Sequence, residues 1–125
     1  MTTRQHVKQN FPNLQTVGAP LIKQSIDLAA LSIDNCGVRV ESLVIGYEPS
    51  TGKAATWRLT RAFGVVSGTV TAYGTTTSTS QGDSSLTPTG VSLDVQLNKP
   101  CTSITGLVGK TINWVVWDDV YTTEL

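Results

Sequence analysis

The chain has 125 residues, nine basic and nine acidic, and a formal net charge of zero. This length accommodates one domain with one core, and the balanced charge supplies no electrostatic footprint for nucleic acid or an anionic membrane. Charged residues make up only 14%, against about 25% in ordinary soluble domains. Thr, Ser, Val and Gly fill the difference, and Thr and Val favour strands because branching at Cβ suits a pleated surface.

No run approaches the ~18 apolar residues of a membrane span, and no apolar segment follows the polar start Met1-Thr2-Thr3-Arg4. The expectation is a protein made and kept without a signal peptide. The two cysteines, Cys36 and Cys101, are far apart in sequence. Without an export signal they read as two buried thiols, with a disulfide open only if the fold brings them together.

Residues 1–21 show neither helical nor strand periodicity and are punctuated by Pro12, Gly18 and Pro20. Phe11, Leu14, Val17 and Leu21 are spaced single apolar residues. They fit an extended arm ordered by contact with a neighbouring subunit, the alternative being a solvated tail. The boundary of the folded domain is therefore placed at residue 22, giving an arm over 1–21 and a β-domain over 22–125.

Residues 22–33 predict a short strand, a connection and a turn at Asn35 and Gly37. Residues 38–46 alternate, with Val38, Val40, Ser42 and Val44 on one face and Arg39, Glu41, Leu43 and Ile45 on the other. Residues 47–53 form a hairpin connection, with Pro49 suited to its first corner and Gly52 to positive φ. In the next strand Ala55, Trp57, Leu59 and Phe63 point inward. Arg61 falls on that same face, where it must reach the rim or pair with an acid. A turn is predicted over 64–68, then a strand over 69–74.

Residues 75–90, TTTSTSQGDSSLTPTG, are of low complexity, part extending the strand and 81–85 forming an exposed loop. Val91, Leu93, Val95 and Leu97 then alternate inward. Residues 98–100 turn the chain, and 101–105 form a short strand. From Thr111 a last strand sets Ile112, Trp114 and Val116 on one face and Val115, Trp117 and Tyr121 on the other. About seven or eight short strands with turns between them predict an all-β fold, an antiparallel β-sandwich or jelly-roll-like barrel.

Candidate chemistry is sparse. Gly109-Lys110-Thr111 ends like a phosphate-binding loop, but the position that should hold the first glycine is Ile104, and a strand follows where a helix N-terminus is needed. The only histidine, His6, lies in the arm, which disfavours nucleophile-and-base catalysis. Asp118 and Asp119 point to opposite faces of a strand, so they read as strand-end charges meeting water, Arg58, Arg61 or Lys110. Asp83 with Ser84 and Ser85 offers too few acids for calcium. Trp57, Trp114 and Trp117 could form a sugar-stacking platform, but Trp57 and Trp114 sit on apolar faces and read as core. Trp117 reads as an interface anchor. No catalytic residue, cofactor or metal is expected, and the chain is not read as an enzyme.

Four stretches carry a resemblance: STGKAATWRLT over 50–60, SGTVTAYG over 67–74, VSLDV over 91–95 and ITGLVGKTINW over 104–114. Together they resemble a β-sandwich module recurrent in structural proteins of tailed bacteriophages, in tail-fibre or appendage proteins and in small stand-alone virion proteins. The chain departs from it at Ser67-Gly68, where such modules often have Gly-Gly, and at Val91, where they often have an aromatic residue. The resemblance implies a virion structural protein made in the host cytoplasm. The first expectation is a head decoration (cement) protein, anchored on the major capsid protein through Phe11, Leu14 and Val17. Trp117 and Tyr121 would then face a sister subunit in a homo-oligomer; the resemblance alone suggests a trimer. The alternative is a tail-fibre or receptor-binding appendage among tail components, meeting a host glycan through residues 75–90.

Overall fold

The structure, a computed structural model, describes the backbone of residues 4–18, 21–86 and 90–123, with side chains from Leu14 onward within those ranges. Eight strands follow one another: β1 (Arg4–Val17), β2 (Leu21–Ser25), β3 (Cys36–Glu48), β4 (Lys53–Val66), β5 (Thr69–Gly82), β6 (Gly90–Gln96), β7 (Lys99–Thr105) and β8 (Thr111–Thr123). They form two antiparallel sheets, one in the order β1-β8-β3-β4-β5 and one in the order β2-β7-β6. The fold is all-β, an open sandwich rather than a closed barrel.

The tight turns follow residue chemistry. β4 and β5 are joined by Ser67 and Gly68, and β6 and β7 by Leu97 and Asn98, each pair with both residues at positive φ. Such two-residue turns match the twist of a hairpin. The turn expected over 64–68 thus narrows to two residues, and β4 runs on to Val66. Leu97, expected inward by alternation, sits in its turn 86% exposed. The geometry of the hairpin outweighs the pattern there. Gly52 has φ +74, as its turn position requires.

The long sheet contributes Val40, Val44, Trp57, Leu59, Trp114, Val116 and Val120 to the core, and the short sheet contributes Leu93 and Ile104. Ile26, Ile33 and Leu86 close its margins from the connections. Trp57 and Trp114 meet at 5.4 Å between ring centroids, tilted by 45°, a favoured aromatic arrangement. The indole Nε1–H of Trp114 donates to Thr16 Oγ1 at 2.9 Å, so its buried polar handle is satisfied. The expected closure of the sandwich by Ile112, Trp114 and Val116 with Trp57 and Leu59 is what the core shows. Cys101 is buried and Cys36 half-buried, and no disulfide joins them.

Of the extended arm expected over residues 1–21, the stretch Arg4–Val17 pairs with its own chain as β1; residues 1–3 and 19–20 lie outside the described residues. β1 pairs antiparallel with β8 from Arg4 opposite Thr123 to Val17 opposite Thr111. Its register shifts between Phe11 and Leu14. Pro12 falls in that irregularity on an edge strand, where a missing N–H costs the ladder least.

Arg61 behaves as its inward position demands. Opposite it, β5 shifts register between the pairs Thr60–Thr77 and Ala62–Tyr73. The guanidinium fills the gap. It donates to Gly74 O at 2.6 Å and Leu93 O at 2.7 Å, and pairs with Asp94 Oδ1 at 2.5 Å. One cation thereby ties β4, β5 and β6 together. Arg61→Ala is expected to lower stability by about 2 kcal/mol, because it removes the donor to Gly74 O and one of the two donors to Leu93 O, the Thr76 hydroxyl being the other, at the seam of the sheets. Arg61→Lys should recover little of this, lacking the planar fork. Urea unfolding of both variants measures it.

Candidate functional site

The strand alternation that buries one face of the long sheet leaves the other to solvent. β8 presents Asn113, Val115, Trp117, Asp119 and Tyr121 there, and β3 presents Arg39, Glu41, Leu43, Ile45 and Tyr47. The register sets Trp117 beside Leu43, Val115 beside Ile45, Asp119 beside Glu41 and Tyr121 beside Arg39. Arg58 of β4 continues the Trp117–Leu43 row.

Trp117 and Tyr121 are each 39% exposed and Tyr47 45%, while Leu43, Ile45 and Val115 are half-buried beside them. A depression between the aromatic residues is lined by Glu41, Leu43, Arg58, Trp117, Asp119 and Tyr121. A second one, at the Tyr47 end, is lined by Leu14, Gln15, Ile45, Asn113 and Val115. The Gln15 amide donates to Asn113 Oδ1 at 2.9 Å across the β1–β8 edge.

The charges on this face are of both signs. Arg39 Nη2 lies 3.6 Å from Glu41 Oε1. The Tyr121 phenol is pushed above its ordinary value, first by burial of its ring and then by the carboxylates of Asp119 and Glu41, with Arg39 pulling the other way. Aromatic and apolar residues crossed by the Glu41–Asp119 row, with Arg39 paired to Glu41, have the make-up of a protein contact surface.

The sequence-derived candidates are partly brought together. Trp117 and Tyr121 share the face as expected. Val17, 68% exposed, ends β1. Leu14 is half-buried and packs against the chain's own core, so it is held within the fold. Phe11 stands opposite Val116 in the β1–β8 register; its side chain lies outside the described residues. Leu43, Ile45 and Tyr47 join the face without having been candidates from sequence. Tyr47 was expected in a turn, but β3 extends through Glu48. Glu48 is held by the Thr51 hydroxyl at 2.7 Å and by Lys110 at 3.4 Å, which keep its carboxyl below the ordinary range, the Thr51 bond most. Lys110 thus serves this corner, and the strand after it, β8, removes any likeness to a phosphate loop.

Asp118 corrects an expectation. Asp118 and Asp119 do point to opposite faces, but Asp118 meets neither water nor a cation: it is wholly buried between the sheets. Ser42 Oγ–H donates to its Oδ1, and the Thr102 hydroxyl lies 3.2 Å from Ser42 Oγ. Asp118 Oδ2 has no hydrogen-bond partner among the described residues. Burial pushes this carboxyl up to about 6, the Ser42 hydroxyl pulling down and the charge of Asp119 adding to the rise. Alternation could have placed Asp118 inward beside Val116 and Val120. Its charge argued against that.

Asp83 caps its own turn, accepting from Ser85 N at 2.9 Å and Ser85 Oγ at 2.6 Å. Among the described residues no three His, Cys, Asp or Glu side chains gather into a group that could hold a metal ion. Comparison with protein-family models, with curated proteins and with solved structures finds no match to this chain.

Proposed function

We propose that this chain is a structural protein of a bacteriophage particle, a head decoration protein whose aromatic sheet face is covered by a neighbouring virion subunit. The observation that carries this reading is the face itself. Trp117 and Tyr47 stand partly exposed beside Leu43, Ile45 and Val115, and Tyr121 stands beyond the Glu41–Asp119 row, with Arg39 and Arg58 alongside. Aromatic and arginine side chains in such a setting are the residues that dominate protein–protein binding. The four stretches that resemble phage virion modules fall on the hairpins and strands of the sandwich, the framework that presents this face.

Trp117→Ala with Tyr121→Ala tests it. Both side chains are substantially exposed, so the double variant should unfold within about 1 kcal/mol of the wild type. Its co-sedimentation with capsid shells that lack the protein should fall at least tenfold, since losing two hot-spot aromatics costs ~2 kcal/mol or more. Undiminished binding by a folded double variant would overturn the assignment of this face.

A further inference from the structure

β5 is an edge strand protected along only one half. Near its start, Val70 N–H donates to Asn98 Oδ1 at 2.8 Å, and the Asn98 amide donates to Gly68 O at 2.6 Å. Further along, Thr76 Oγ1 accepts from Leu93 N at 3.0 Å and lies 2.8 Å from Leu93 O. The short sheet therefore caps the first half, and the irregularity opposite Arg61 bends it. Beyond Thr76 the strand runs on in regular register with β4, from Thr77 opposite Thr60 to Gly82 opposite Ala55.

The direction of the backbone groups in this second half follows from the hairpin. A two-residue turn makes Val66 and Thr69 a hydrogen-bonded pair, so β4 aims the groups of its even-numbered residues at β5. Thr77, Thr79 and Gln81 answer them; Gln81 O indeed lies within reach of Thr56 Oγ1, at 3.4 Å. The N–H and C=O groups of Ser78 and Ser80 then face away from the sheet. Among the described residues no strand pairs with this edge. Residues 77–82 are all exposed and include no charge and no proline. The devices that ordinarily blunt an edge are lysine, proline and a bulge, and this half of β5 has none.

We propose that this edge is a self-pairing site, joining β5 of one copy antiparallel to β5 of a second copy about a two-fold axis at Thr79. Ser78 of each copy then lies opposite Ser80 of the other, exchanging about four backbone hydrogen bonds. A second copy is the occupant the composition favours. The two edges are identical, neutral and made of Thr, Ser and Gln, so antiparallel self-pairing opposes no like charges. The union makes one continuous sheet of two long sheets and leaves the Trp117 face free, so it stands independently of the function proposed above. So short a pairing buries less than the roughly 1,000 Å² of a tight interface; the dimer forms as concentration rises.

Ser80→Pro is the discriminating variant. The Ser80 N–H faces away from β4, so proline there removes a donor of the pairing and spares the sheet. Sedimentation of the purified wild-type chain should show a concentration-dependent dimer, and Ser80→Pro should raise its dissociation constant at least tenfold. Thr79→Cys should cross-link two copies under mild oxidation, because residues facing across a non-hydrogen-bonded pair approach to ~4.5 Å between Cα atoms. Should Ser80→Pro fail to fold, Ser78→Lys with Ser80→Lys supplies the same test through charge repulsion. A wild-type chain monomeric at every concentration overturns the proposal. So does a dimer indifferent to these variants, or a Thr79→Cys chain that gives no more cross-linked dimer than the wild type.

Discussion

Replacing Trp114 by alanine is expected to lower the unfolding free energy by about 4 kcal/mol, at the upper end of what a core tryptophan costs. Three losses coincide. The indole is 1% exposed, so its removal leaves a large cavity between the sheets. Its tilted contact with Trp57 disappears, and so does the bond that satisfies Thr16, a residue itself wholly buried. Gly46 on β3 offers a control. A Cβ built there would lie 2.6 Å from the Trp114 ring, so Gly46→Ala forces the indole aside and should cost about 2 kcal/mol. In the Trp114→Ala background the same change should cost far less, because the space is then empty. Chemical denaturation of the two single variants and the double variant reads this directly. Additive losses would show that the indole does not rest on Gly46.

Asp118→Asn is expected to remove a pH dependence of stability. The Asp118 carboxyl titrates near 6 in the folded chain, against an ordinary value of 3.8. Between those values the folded state holds a proton that the unfolded state has released, so the contribution of this group to stability is greatest below about 4 and declines as pH rises to about 6. At ~1.4 kcal/mol per pH unit the decline attributable to this group is about 3 kcal/mol. Glu48 and Asp83 have carboxyls held below their ordinary values and act in the opposite sense, losing stability as pH falls through the acid range. The difference between wild type and Asp118→Asn therefore isolates the buried group. The variant should gain on the wild type from pH 4 to 6.5 and hold a constant offset above that. A difference that does not change with pH would mean that Asp118 ionises as an ordinary carboxylate.

The buried side of the sandwich was legible because strand alternation needs only the identities of alternate residues. That pattern alone assigns Trp57, Leu59, Val44 and Trp114 inward. The inward Arg61 was also legible, since an arginine on an apolar face must find acceptors. Where alternation loses its phase, the strand drops out of the pattern. β1 is polar and changes phase between Phe11 and Leu14, so its two halves do not add to one periodicity. The pairing that orders it lies about a hundred residues away in β8. Leu97 kept phase with β6 but fell on a turn fixed by the following asparagine.

The exposed aromatic face was half legible. Trp117 and Tyr121 were visible as an unburied stripe on one strand. Their neighbours Leu43, Ile45 and Tyr47 join them only through the β3–β8 register, a relation between segments about 70 residues apart. Asp118 was missed because a carboxylate is ordinarily taken to reach water. Its partner Ser42 stands on β3, and Thr102, which meets Ser42, stands on β7 of the other sheet.

The central claim, the proposed role as a head decoration protein, is tested most directly by looking for density of this protein on a virion. An averaged image of the virion should show the sandwich on the outer surface of the head, with the Trp117 and Tyr121 face pressed against a neighbouring subunit. Density confined to the tail, or a head position that leaves that face open to solvent, would contradict it. A tail position together with glycan binding that is lost on changing residues 75–90 would identify the chain as a receptor-binding appendage instead.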